Sequence, residues 1–165
     1  MNWDAIGALG EIIGAAAVFV SLLYLATQIR QSTALARTQY HTNSVTIFAP
    51  FSDWKSANPR VFREGMTDFE SLKADDRVNL DSILTLFVLT FKDVLSAHES
   101  GFVDRETYLA WESYVGTNLA MPGGKAWWKH GRNFFIEKVQ VAVDAAIAQA
   151  PPYDELMPII FSDKN

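Results

Sequence analysis

Residues 12–29 read IIGAAAVFVSLLYLATQI, an apolar run without a single charged side chain that ends at Arg30. A length of about 18 residues is the lower range for a helix crossing a hydrocarbon layer roughly 30 Å thick. The stretch IGALG at residues 6–10 lengthens it further. One isolated span in lipid satisfies its backbone only as a helix, and no proline lies between Asp4 and Gln31. A cleaved signal peptide fits badly, because no Lys or Arg precedes the run and the run is longer than a signal core of roughly 7–15 residues. The sequence therefore predicts a retained transmembrane anchor helix over residues 1–31. The competing reading is a soluble bundle that buries its first helix, a role in which all-round hydrophobicity also occurs. The anchor is favoured, since a bundle of this size rarely needs a helix so long and so uniformly apolar.

Positive charge appears only after the run, at Arg30 and Arg37, while Asp4 and Glu11 precede it. By the positive-inside rule the C-terminal bulk is expected in the cytoplasm and the N-terminus outside, with Trp3 as an interfacial aromatic. Gly7, Gly10 and Gly14 lie close together on a helix, and the G-x-x-x-G pair would let another membrane helix approach closely. Glu11 adjoins that face. Its carboxylate is read either as a headgroup-region charge near a positive helix terminus or as a partner-selecting hydrogen bond to a neighbouring membrane subunit.

The remainder is expected to form a cytoplasmic bundle of about four to five helices over residues 32–150, followed by an extended tail over residues 151–165. The anchor helix is expected to continue past Arg30 with a break near residues 41–44, and Pro50 and Pro59 punctuate the segment after that break. Asn58 before Pro59 reads as a helix cap, and a loop is expected at residues 67–74. The clearest soluble helix spans residues 74–100. Acids fill its first turn, apolar residues recur at 80, 84, 87, 91, 94 and 95, and its nine-residue unbroken apolar segment is too short for a bilayer. Gly101 reads as a turn and Asp104 as the cap of a helix carrying Tyr108, Trp111, Val115 and Leu119 on one stripe. A proline-glycine turn at residues 122–124 leads into a short helix that breaks at Gly131. A last helix over residues 135–148 places Ile136, Val139, Val143 and Ile147 for burial. With no strand-like alternation, the predicted class is all-α.

Chemistry is harder to find. The 165 residues carry 14 Lys+Arg against 19 Asp+Glu, a net charge of −5, and no stretch is basic enough to follow a phosphate backbone. No nucleic-acid partner is expected. Cysteine is absent, which excludes disulfides, thiolate metal sites and a cysteine nucleophile together. His41, His98 and His130 lack the spacing of a helical metal site, so neither metal nor cofactor is expected. His98 continues the stripe of its helix and reads as a hydrogen-bonded histidine at a helix end. No Walker loop, dinucleotide fingerprint or nucleophile elbow occurs. No catalytic residue can be nominated, and enzymatic activity is not expected.

The one basic cluster is GGKAWWKHGR, where Lys125, Lys129, His130 and Arg132 surround Trp127 and Trp128 behind a glycine pair at a helix start. Such a group could hold an anionic small molecule or a lipid headgroup. The blander alternative is that the tryptophans pack and the charges form a solvated face.

Four segments, NWDAIGALGEIIGAAAVFVSLLYLATQIRQST, ANPRVFREGMTD, ESGFVDRETYLAWES and MPGGKAWWKHGRNFF, resemble a widespread group of uncharacterised small bacterial proteins. Those proteins share an anchor helix of the type W-x-A-I-G-x-x-G-E, an N-P helix start and a P-G-x-x-x-W-W turn. The resemblance implies a single-span protein of the bacterial inner membrane with a helical cytoplasmic domain, and carries no catalytic residue or cofactor. One departure is NFFI at residues 133–136, where similar sequences often have a serine-proline helix start. The leading functional expectation is a membrane-anchored, non-catalytic interaction protein, an accessory subunit whose partners are the lipid bilayer and another membrane protein or complex. The alternatives are a tethered domain binding an anionic ligand, and the soluble bundle above.

Overall fold

The computed structural model describes residues 3–152, and their side chains except at residues 3–6, 8, 9 and 36–48. The tail expected from residue 151 lies, from residue 153 onward, outside the described residues. The structure is all-α, one long apolar N-terminal helix followed by a helical bundle, with no strand among the described residues. The chain divides into two compact units, Met1–His41 and Thr42–Asn165.

The first helix, α1, runs Trp3–Ala57 and its stretch Gly10–Leu35 has a mean hydropathy of 2.0 with none of it buried. The break expected at residues 41–44 is not there, and Pro50 lies inside the helix instead of ending it. No glycine or proline occurs between residues 30 and 49, so nothing local stops propagation. An internal proline costs about 3 kcal/mol. The next residue returns a comparable amount: Phe51 is 2% exposed and stacks on Phe87 with centroids 4.3 Å apart at 13°, and burying such a side chain is worth about 1.5–3 kcal/mol. Lys55, in the last turn, lays its Nζ 4.6 Å above the Phe62 ring, and burial lowers its pKa.

Helix α2 spans Pro59–Thr67 with proline in its first turn, as expected, but Asn58 does not cap it through its side chain. Its Nδ2 donates 3.0 Å to the Trp54 carbonyl at the end of α1, because α1 also leaves orphan acceptors there. The loop to α3 is held by Asp68, whose Oδ1 accepts from Glu70 N and Ser71 N, and by Arg77, which donates to the carbonyls of Glu70 and Leu72.

Helix α3, Ala74–Glu99, is the centre of the bundle. Leu80, Leu84, Phe87, Phe91, Val94 and Leu95 are all buried, as their helical spacing predicts. The chain turns at Gly101, whose φ is 74°. His98 sits at the helix end with Nδ1 2.9 Å from the Val103 carbonyl and its ring stacked on Tyr108 at 4.6 Å. Helix α4, Arg105–Leu119, starts on Asp104, whose Oδ1 accepts from Thr107 N at 2.7 Å. Val115 and Leu119 are fully buried, with Tyr108 and Trp111 packed against the same core.

Helix α5 spans Pro122–Gly131, a short 3-10 turn spans Arg132–Phe134, and α6 spans Glu137–Gln149. Val139 and Val143 are buried and Ile147 partly so, but Ile136 is 60% exposed. The reason is register: Ile136 is the extended residue before α6, and Phe135 turns inward in its place, 8% exposed.

Several helix pairs approach so closely that only glycine fits, and two of these contacts are the tightest against backbone. A Cβ on Gly116 of α4 would stand 2.2 Å from the Ala146 carbonyl oxygen of α6, and one on Gly123 of α5 would stand 1.8 Å from the Gly65 carbonyl oxygen of α2. Because the obstacle is backbone in both cases, no rotamer change relieves it. Gly116→Ala is expected to lower the unfolding free energy by about 3 kcal/mol, read from urea denaturation followed by tryptophan fluorescence. Gly10→Ala, with nothing within 4 Å of its position, leaves that transition where it was. An unshifted midpoint for Gly116→Ala would refute the close packing.

Candidate functional site

The basic cluster is built on α5 and the turn after it. Trp127 and Trp128 are adjacent in sequence, yet both are buried, at 2% and 5% exposure. They manage this by pointing to different neighbours. The Trp127 indole N–H donates 2.8 Å to Asp81 Oδ1 on α3, and the Trp128 indole N–H donates 2.8 Å to Asp144 Oδ1 on α6. Phe135 closes against both rings, its centroid 5.4 Å from Trp128 and 6.4 Å from Trp127. The tryptophans therefore pack, the blander of the two readings of this cluster, and Trp54 and Trp111 also pack, partly buried, against the core.

The glycine pair does not open to an anion. Gly123 and Gly124 are buried, the first against the α2 backbone and the second against the carbonyl of Asn118 at the end of α4. The four cationic candidates also turn to different surroundings. Arg132 donates from Nε and Nη2 to Asp144 Oδ2 at 3.0 and 2.7 Å, and from Nη1 to Gln140 Oε1. His130 Nε2 lies 3.5 Å from Glu70 Oε1 on the loop before α3. Lys125 and Lys129 are exposed, four residues apart on α5, with no carboxylate partner among the described residues. A ligand would thus meet two lysines rather than a converging quartet.

Asp144 is the electrostatic centre of this region. The Arg132 guanidinium and the Trp128 indole hold its carboxyl below the ordinary value of 3.8, against an opposing effect of burial. Sequence reading did not find it, because Asp144 sits in an apolar helix with no local motif and its partners lie 12 and 16 residues away.

In the N-terminal unit, Gly7, Gly10 and Gly14 have open space where a Cβ would stand, and Gly10, Glu11 and Gly14 are exposed. Among the described residues no group of three or more His, Asp or Glu side chains is gathered to hold a metal ion. Where other groups titrate away from their usual range, the causes are those of packing. Burial, then the hydrogen bond to Glu112, push the Tyr108 hydroxyl up to about 12, and burial raises Tyr114 as well.

A carboxyl whose pKa is depressed in the folded state stabilises the fold above its unfolded value and loses that contribution as pH falls through the folded value. Asp144→Asn is accordingly expected to melt below the wild type at neutral pH, with the gap between the two narrowing as the pH drops below 3.8. A gap independent of pH would show that Asp144 acts through shape alone.

Compared with protein family models, with curated proteins and with solved structures, the chain has no match, so its site rests on its own residues.

Proposed function

We propose that this chain is a membrane-anchored, non-catalytic interaction protein, an accessory subunit that joins a helical domain to another protein of the bacterial inner membrane. The observation that carries the reading is Gly10–Leu35, a helical stretch of 26 residues, every one of them exposed. Soluble monomers rarely leave contiguous apolar patches beyond a few hundred Å², and a bare helix of this length and composition far exceeds that. A bilayer is the surrounding that removes the cost. Within and around it, Asp4 and Glu11 precede the uncharged run of residues 12–29 and Arg30 and Arg37 follow it, which favours an outside N-terminus and a cytoplasmic domain. The resemblance to small bacterial single-span proteins points the same way.

The interaction role is supported by how the bundle uses its polar groups. His98, Tyr108, Arg132 and Asp144 are engaged by partners inside the fold. The face of Gly7, Gly10 and Gly14 with Glu11 beside it suits a second membrane helix. An anionic small molecule at Lys125, Lys129, His130 and Arg132 is less well supported, since Asp144 and Glu70 already stand beside Arg132 and His130.

Two experiments test the reading. Full-length protein is expected to stay with membranes through carbonate extraction, and Leu22→Arg with Leu23→Arg to release it, since each central arginine costs about 2.5–3.5 kcal/mol on insertion. Wild-type protein recovered without detergent in the soluble fraction would remove the anchor. Gly10→Leu with Gly14→Leu is expected to abolish co-purification of a larger assembly in mild detergent; undiminished co-purification would remove the glycine face as the docking surface.

A further inference from the structure

Helices α4 and α6 leave a step beside the end of α6. They meet closely where Gly116 of α4 faces the Ala146 carbonyl of α6. Next to that contact opens a hollow of about 240 Å³, lined by Leu109, Glu112 and Ser113 on one side and by Ala146, Gln149 and Ala150 on the other. Its α4 residues precede Gly116 and its α6 residues run on from Ala146, so the two helices are antiparallel. Helix α6 therefore ends at the hollow, while α4 has a further turn, residues 105–108, on the far side of Leu109. Leu109 is left 44% exposed.

The lining restricts what fills the hollow. Its volume is below the roughly 300–1,000 Å³ of small-molecule pockets, and among the described residues no cation lines it. Leu109, Ala146 and Ala150 offer apolar contact. Glu112 accepts from the Tyr108 hydroxyl through Oε1 at 3.0 Å, which leaves Oε2 as an acceptor. A side chain with an apolar body and a hydroxyl donor meets both demands, and tyrosine is such a side chain.

The chain itself supplies one. Ala150, a lining residue, has φ −64° and ψ 142°, the polyproline conformation to which a residue before proline is biased. Pro151 and Pro152 follow, both exposed, and their rings hold φ near the same value. A polyproline helix repeats about every three residues with a rise of about 3.1 Å, so the residue after the two prolines returns to the side of Ala150, roughly 9 Å on. That residue, the first beyond the described ones, is Tyr153. Asp154 and Glu155 come next and share the sign of Glu112, so the neutral phenol is the group the lining accepts. A second copy of the chain would have to displace a group tethered this closely, whose effective concentration is on the order of millimolar.

We propose that Tyr153 docks over the step, its ring on Leu109, Ala146 and Ala150 and its hydroxyl donating to Glu112, which holds the start of the C-terminal segment to the seam between α4 and α6. The contact belongs to the helical domain and is independent of the proposed anchor.

The chain has no cysteine, so Ala110→Cys, at an exposed position of α4, and Asp154→Cys take one spin label each in the full-length protein in mild detergent. Pulsed dipolar spectroscopy is expected to give one short, narrow distance. Tyr153→Ala is expected to broaden it and to lower the docked-to-undocked ratio about 10-fold or more through the lost ring. Tyr153→Phe keeps the ring and is expected to lower the ratio about 5-fold through the lost hydroxyl. A broad distribution with Tyr153 present, or a narrow one that Tyr153→Ala leaves unchanged, overturns the docking. A short distance that disappears when labelled protein is diluted with unlabelled protein puts the segment on a second copy and overturns it as well.

Discussion

Burying an indole removes a large apolar surface from water, but also an N–H donor whose neglect would cost about 1–3 kcal/mol. The bundle meets that demand twice in succession, and its geometry depends on how it does so. Trp127 and Trp128 lie on one short helix, so their donors need acceptors on two different elements: Asp81 of α3 and Asp144 of α6. Helix α5 is thereby tied to the central helix and to the last one. Both carboxylates keep a solvated side, with the Asp144 side chain 41% exposed, so neither pays the full cost of a buried charge. Asp144 then orients Arg132, and Arg132 with Gln140 shapes the turn that leads into α6.

The same arrangement explains where glycine is needed. Helix α5 must come close to α2 to seat the tryptophans, and α4 must come close to α6 to cover Val139 and Val143; Gly123 and Gly116 are the residues at those two contacts. The glycines of α1 are not held to such a contact. Among the described residues nothing stands within 4 Å of a Cβ placed on Gly7, Gly10 or Gly14.

Much of the fold was legible because it depends on local periodicity. The stripe of α3, the Asp104 cap, the turn at Gly101 and the hydrogen-bonded role of His98 each arise from residues a few positions apart. The failures share a different origin. Asn58 bonds backward to Trp54, Pro50 remains within a helix because Phe51 finds Phe87, and Phe135 rather than Ile136 turns inward because two tryptophans wait there. In each case a tertiary partner decides between local options of similar energy. The candidate site suffered most. Lys125, Lys129, His130 and Arg132 are a cluster in sequence, but the acids that separate them come from positions 70 and 144.

The distribution of polar groups also bears on what the domain can recognise. Arg60 reaches Glu64 and Asp76, Lys138 reaches Glu99, Arg77 serves two loop carbonyls, and Tyr108 donates to Glu112 from a hydroxyl whose raised pKa keeps it protonated at neutral pH. Groups committed in this way already spend part of their hydrogen-bonding capacity inside the fold. A surface of that kind gains most from partners that ask for apolar area and diffuse charge. Such area is offered along Gly10–Leu35, a stretch of mean hydropathy 2.0 with none of it buried.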